Sequence, residues 1–239
     1  MVLLAIAAAS YIQALVGFSF AVILMGAIAT LNLMPVADAA VITTLLAMGN
    51  TGTALIRGHS NVRWRETGAV LLVSLPAIVL GLYLLDQFGE THLGRIRMAL
   101  AVVMFLSGAM ILKPPRQDAV ISRLPSFALS GLISGVVGGL FATGGPFIVY
   151  QFYRQPLSLQ IIRDSLFAVF FLGSLARTIL VVLDTGIETR LLILSAIGFP
   201  VVVVFTRFGL RFAPNLPETT LRRAVFGLMV LTALALMLG

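Results

Sequence analysis

Cysteine is absent from all 239 residues, and histidine occurs only at His59 and His92. The first absence removes disulfides, thiolate nucleophiles and Cys-ligated zinc or iron–sulfur centres. Charge is scarce as well: 10% of residues are charged against 59% hydrophobic. A soluble domain of this length would have too little polar surface to cover its core, so the chain reads as an integral membrane protein. Short alternating apolar stretches, the mark of a membrane β-barrel, are missing. The apolar runs are long and continuous, and in lipid such runs must close their backbone hydrogen bonds as helices. The net charge of +7 would suggest nucleic acid in a soluble protein. In this composition it reads as arginine in short loops setting membrane orientation, with no nucleic-acid partner. No Lys or Arg precedes the first apolar run, so a cleaved signal peptide is not expected.

An internal repeat organises the rest. At a constant offset of 121, Val16, Gly17, Phe20, Ala21, Pro35, Leu45, Ala47 and Gly52 recur as Val137, Gly138, Phe141, Ala142, Pro156, Leu166, Ala168 and Gly173. The offset then drifts by three or four residues, and Pro76, Arg97, Met104 and Leu106 return as Pro200, Arg222, Met229 and Leu231. Matched Leu and Val come readily in so apolar a chain, whereas matched Gly and Pro do not. The division is a first repeat over 1–112, a linker over 113–123 and a second repeat over 124–239. A duplicated chain of this kind is the pattern of secondary transporters, whose site lies between the repeats.

Six stretches read as ordinary spans: 36–56, 68–86, 95–112, 157–181, 189–206 and 220–238. The segments that open each half, 3–33 and 124–153, differ. They are too long for one crossing, since 30 helical residues run about 45 Å against a hydrocarbon core of about 30 Å. They contain Gly17-Phe18-Ser19 and Gly138-Gly139, the latter followed by Thr143-Gly144-Gly145-Pro146. Each is therefore predicted to be two half-helices that enter and turn back. If all eight segments crossed, loop Lys and Arg would split seven to seven. If the opening segments re-enter, the split is eleven to three, with Arg95, Arg97 and Arg190 on the minority side. The positive-inside rule favours the second arrangement and makes the 113–123 linker cytoplasmic. Three crossings per half then give the repeats inverted topology, and they place His59 and His92 on opposite sides. No Ser–His pair or His-rich metal set can assemble at membrane depth, so no enzyme, metal or cofactor is expected.

Half-helices expose unpaired amides and a positive dipole end to the midplane cavity. Gly144 and Gly145 permit close approach of an anion, and Pro146 suits the first turn of the following helix. Gly138 and Gly139 fit either this role or close helix packing. Arg163 and Asp164 lie inside the 157–181 span, where charge is costly. Arg163 could offer its fork to an oxyanion or snorkel to the headgroups. Asp164 could carry a coupling proton or neutralise an arginine such as Arg177. The hydroxyls of Ser19, Thr43, Thr44 and Ser165, with Thr143 and the amide of Asn50, complete the candidate substrate-binding set.

These residues also carry a resemblance. The stretch Val137-Gly138-Gly139-Leu140-Phe141-Ala142-Thr143-Gly144-Gly145-Pro146 has a degenerate copy in Val16-Gly17-Phe18-Ser19-Phe20-Ala21, and each is followed by a turn, Gln155-Pro156 or Met34-Pro35. The next helices carry Ala40-Val41-Ile42-Thr43-Thr44-Leu45 and Ile162-Arg163-Asp164-Ser165-Leu166. Throughout its length the chain resembles the TauE/SafE, or toluene sulfonate uptake permease, family of anion transporters. The first-half glycine cluster is eroded, and Asp164 stands where the family pattern has a small residue. The resemblance implies a multi-pass inner-membrane protein that moves sulfite, sulfoacetate, sulfonates or similar small anions. The expectation is thus an all-α membrane protein of two inverted repeats, each a broken opening segment plus three transmembrane helices. It would transport a small organic or sulfur-containing anion by alternating access, with a proton or sodium as coupling ion. A passive anion channel and a non-transport membrane assembly protein are the alternatives.

Overall fold

The computed structural model describes residues 2–31, 33–88, 120–142 and 144–212, with scattered positions in 95–112 and 219–234. Among the described residues every regular element is helical. They are α1 (Val2–Val16), α2 (Phe20–Thr30), α3 (Val36–Gly58), α4 (Trp64–Phe88), α5 (Leu124–Phe141), α6 (Gly145–Tyr153), α7 (Leu159–Asp184) and α8 (Thr189–Arg211), with a 3-10 turn at His59–Asn61. The predicted spans 95–112 and 220–238 fall largely outside the described residues. Helices α3, α4, α5, α7 and α8 are long and apolar enough to cross a membrane. The most apolar stretch of α3 is 61% buried, against 22–33% for the other four, so α3 sits at the centre and the others present faces to lipid.

Local chemistry sets the ends. Ser158 caps α7 by accepting from the Ile161 amide, one of the orphan donors of a helix start. Pro125 and Pro146 stand in the first turns of α5 and α6, where a missing N–H costs nothing. The repeat-matched Pro76 and Pro200 both lie inside helices, α4 and α8. Gly17, with φ +82°, ends α1, and its amide returns to the Gln13 carbonyl at 2.7 Å.

Both opening segments are broken, as the Gly and Pro pattern predicts, but not at equivalent places. Gly138 and Gly139 lie inside α5, four and three residues short of Ala142, which ends it with φ +56°. The second half breaks between Phe141 and Gly145, where the Gly144-Gly145-Pro146 stretch opens the following helix as expected, and the Gly138-Gly139 pair lies inside α5. Gly139 is instead a packing residue. With Gly131 and Gly135 it forms a stripe at four-residue spacing, and Cβ atoms at the three would strike the α4 carbonyls of Ile78, Val70 and Ser74 respectively. Backbones that close pack well in lipid only where side chains are minimal.

Helix α6 doubles back along α5. The Ser126 hydroxyl donates to Gln151 Oε1 (3.2 Å), the Ser122 amide donates to Gln155 Oε1 (2.8 Å), and the Phe127 and Phe152 rings meet edge-on at 5.2 Å. Leu124 and Tyr153 therefore lie at the same end of the hairpin.

Contacts between helices are reciprocal under exchange of the halves. Helix α1 packs on α8 as α5 packs on α4, and α3 packs on α8 as α7 packs on α4. Helix α2 meets α1 and α3 as α6 meets α5 and α7. The repeat-equivalent helices α3 and α7 pack on each other and run antiparallel. Thr44 meets Arg177 at one end, Gly52 faces the Phe171 ring midway, and Gly58 lies against the Asp164 carboxylate at the other end.

Candidate functional site

Two adjoining cavities open where the half-helices break. The larger, about 80 Å³, is walled by Thr44, Ser74, Ser134, Gly138, Gly144 and Arg177 among others. The smaller, about 50 Å³, is walled by Gln13, Phe18, Ser19, Ala21, Val22 and Ala47. They share Ala142, Gly145, Phe170 and Ser174 as a common border. A water needs about 10–15 Å³ of such space, so the larger cavity has room for one small anion with some of its hydration.

Arg177 dominates the larger cavity electrostatically. It is 4% exposed. Its Nη2 and Nε donate to the Gly139 carbonyl at 3.2 and 3.4 Å, and Nη1 donates to Thr44 Oγ1 (3.0 Å) and the Ala40 carbonyl (3.4 Å). Gly139 lies in the last turn of α5, where carbonyls lack helical partners and the dipole end is negative. The neutral acceptors orient the guanidinium but leave its charge uncompensated. Among the described residues the one ion pair is Arg63–Glu66, at 2.7 Å. A buried cation without a carboxylate is costly until an anion joins it.

Further donors face the same space. The Ser134 hydroxyl is 4% exposed and has no hydrogen-bond partner among the described residues. Gly145 opens α6 at the cavity wall, so the amides of a helix N-terminus are close by. Gly144 is required by packing: a Cβ there would strike the Ser134 carbonyl. Thr44 is committed, donating to the Ala40 carbonyl at 2.7 Å and accepting from Arg177. Ser19 lines the smaller cavity with its buried hydroxyl unpartnered and its backbone at φ +93°. Such strain in a non-glycine residue is typical of functional sites.

The other sequence candidates are not gathered there. Thr143 lies outside the described residues. Pro146 belongs to the first turn of α6. Thr43 is fully buried with an unpartnered hydroxyl but lines neither cavity. Asn50 holds helices together, its Nδ2 donating to Thr206 Oγ1 (2.6 Å) and the Ser10 carbonyl (3.4 Å). Arg163, Asp164 and Ser165 cluster at the far end of α7. Arg163 Nη1 donates to the Leu15 carbonyl (3.3 Å) in the last turn of α1, and its stem packs against Gly17. Asp164 accepts from Asn61 Nδ2 (2.8 Å), and Ser165 Oγ accepts from the Arg63 amide (3.0 Å). Asp164 and Arg177 are thirteen residues apart, roughly 20 Å along the helix, so they do not neutralise each other.

Sequence reasoning had set Arg177 aside as a partner for Asp164 and passed over Ser134, Ser74, Phe170 and Ser174. The available signal was an arginine deep in an apolar span with no acid one helical turn away. His59 sits in the 3-10 turn, His92 lies outside the described residues, and no metal-ligating cluster occurs among the described residues.

Packed helices that break around a buried, cation-lined cavity define a polytopic membrane transporter. The sulfite exporter TauE/SafE family model matches residues 2–236, and the chain belongs to that family. It is a multi-pass inner-membrane protein and not an enzyme. It is 32% identical over 231 residues to the probable sulfite/organosulfonate exporter TauE of Cupriavidus necator, covering 97% of this chain and 90% of that one. It is 27% identical over 200 residues to the probable inner membrane transporter protein TsaS of Comamonas testosteroni, covering 80% and 81%. No solved structure matches it.

Proposed function

We propose that the protein carries a small sulfur-containing or organic oxyanion across the inner membrane, bound in the Arg177 cavity, by alternating access between two inverted repeats. The observation that carries this reading is Arg177 itself, buried on a cavity wall with no acidic partner among the described residues. An oxyanion there would take charge-assisted bonds from the guanidinium, a bond from the Ser134 hydroxyl, and the dipole of α6 near Gly144 and Gly145. This moves the counter-charge from Arg163, which is bound to the Leu15 carbonyl, to Arg177. The relative in Cupriavidus necator, a probable sulfite/organosulfonate exporter, agrees with an anionic cargo.

Inversion is supported by α3 and α7. Helices equivalent in sequence that pack antiparallel are related by an axis lying across them, as in inverted-repeat carriers. The α5–α6 hairpin, whose ends lie together, supports re-entry of that opening segment. Purified protein in liposomes loaded with sulfite provides the test. A carrier gives saturable sulfite flux that external sulfite accelerates by exchange, and Arg177→Gln abolishes it. Flux that rises linearly with sulfite and shows no such acceleration indicates a passive channel. Absence of flux for sulfite and for short sulfonates alike overturns the reading.

A further inference from the structure

We infer that Asp164 is a proton-binding site that latches the α3–α4 turn onto α7, so that proton binding closes this end of the helix pair and ionisation releases it. The site lies about 20 Å along α7 from Arg177 and does not depend on the proposed anion site. Asp164 is 5% exposed. Asn61 Nδ2 donates to its Oδ2 at 2.8 Å, and Gly58, the last residue of α3, packs directly against the carboxylate. One residue on, Ser165 Oγ accepts from the Arg63 amide at 3.0 Å. Two adjacent side chains of α7 therefore hold the turn.

This position is unfavourable for a carboxylate. The last carbonyls of a helix lack partners and form the negative end of its dipole, and that end of α3 is what meets Asp164. The positive groups nearby are engaged elsewhere. Arg163 donates to the Leu15 carbonyl, Arg63 pairs with Glu66, and the His59 ring lies beside the Ile56 carbonyl at 3.4 Å. Arg65 is exposed on the first turn of α4. Asp164 itself has no ion-pair partner among the described residues. The counterpart of Asp164 in the first repeat is Thr43, buried and uncharged, so the acid is a feature of the second repeat.

A buried charge without a counter-ion is relieved by taking up a proton. Protonated, the carboxyl keeps an acceptor for Asn61 and gains an O–H that can donate to an α3 carbonyl. Ionised, it loses that donor and faces the dipole, and it is stabilised by water once the turn lifts. The state that binds the proton is favoured as pH falls, so the latch is closed in acid and opens as pH rises. In the proposed inverted arrangement this end faces the cytoplasm.

The chain provides its own probe. Trp64, its one tryptophan, opens α4 three residues after Asn61, so its fluorescence in the purified full-length protein reads the position of the turn across pH. Wild type should show a reversible one-proton transition. Asp164→Asn imitates the protonated carboxyl, with an acceptor and a donor, and should hold the acid-side emission at every pH. Asn61→Ala weakens the latch and should move the midpoint to lower pH, which keeps the inference testable if Asp164→Asn does not fold. His59→Gln and Glu66→Gln remove the other titrating groups beside Trp64 and should leave the transition in place. A flat wild-type profile, an unmoved midpoint in Asn61→Ala, a transition that survives Asp164→Asn, or one lost with His59 or Glu66 overturns the inference.

Discussion

Replacing Arg177 by glutamine removes the charge from the larger cavity and leaves a shorter side chain that still carries an amide donor. In the free protein two effects oppose. The Gly139 carbonyl loses both of its guanidinium donors, and leaving a buried acceptor unpaired costs about 1–3 kcal/mol. The variant also no longer buries an ion without a carboxylate, which offsets part of that cost. Stability should therefore change modestly. Affinity should change more, because a hydrogen bond to a charged group contributes about 1.5–3 kcal/mol, or roughly ten- to hundredfold in Kd. Arg177→Lys should fall between, since an ammonium retains the charge but cannot hold Gly139, Thr44 and an anion in one planar fork. Calorimetric titration with sulfite and sulfoacetate at fixed ionic strength reads the affinity, and a melting curve reads the stability. Arg163→Gln is the matched control: it removes a cap on α1, so Tm should drop with Kd unchanged. If Arg177→Gln leaves Kd within twofold of wild type and lowers only Tm, Arg177 is a helix cap and the binding argument is refuted. If Arg163→Gln shows the large loss of affinity instead, the counter-charge belongs at the other end of α7.

Three other perturbations test the surrounding machinery. Gly144→Ala drives a Cβ into the Ser134 carbonyl and should destabilise the fold by about 1–3 kcal/mol, whereas Gly145→Ala meets only the edge of the Phe170 ring at 3.2 Å and should fold but bind anions more weakly; equal melting temperatures for the two would refute this distinction. The inverted arrangement places both termini outside and the linker inside, so a single cysteine at Gln117 should resist an impermeant thiol reagent in intact cells while one at the C-terminus reacts, and the reverse pattern rejects it. Asp164→Asn keeps an acceptor for Asn61 but loses the charge. If Asp164 carries a coupling proton, pH-gradient-driven flux should disappear while sulfite exchange persists; loss of neither assigns it to fastening the α3–α4 turn.

What was legible in the sequence follows from what a repeat constrains. Spans, breaks and paired prolines reflect backbone geometry in lipid, and Gly and Pro announce that geometry directly. The segments 3–33 and 124–153 accordingly read as broken from sequence alone, and both are. The start of the second half-helix is legible from Gly144-Gly145-Pro146, which opens α6, whereas the role of the Gly138-Gly139 pair is not. Gly139 serves contact with α4, while the left-handed residue that ends α5 is Ala142. A glycine required by a neighbouring helix and one required by φ cannot be told apart without the neighbour.

The proposed site was less legible because its arginine has no counterpart in the first half of the sequence. Position 177 corresponds in the first repeat to Ile56, which is 76% exposed, so the comparison of halves that located the breaks was blind to Arg177. Arg163 and Asp164 stand out in the sequence as charge inside a span, but with Ser165 they meet α1 or the α3–α4 turn. Both interior arginines of α7 in fact do the same elementary job, donating to the terminal carbonyls of an opening half-helix, Leu15 of α1 and Gly139 of α5. They stand fourteen residues apart, roughly 21 Å along one helix. What distinguishes them is the space beside them: a cavity and an unpartnered serine at Arg177, and packed backbone at Arg163. Capping explains why an arginine is tolerated at each position. At Arg177 a cavity remains beside the guanidinium for an anion to complete the charge.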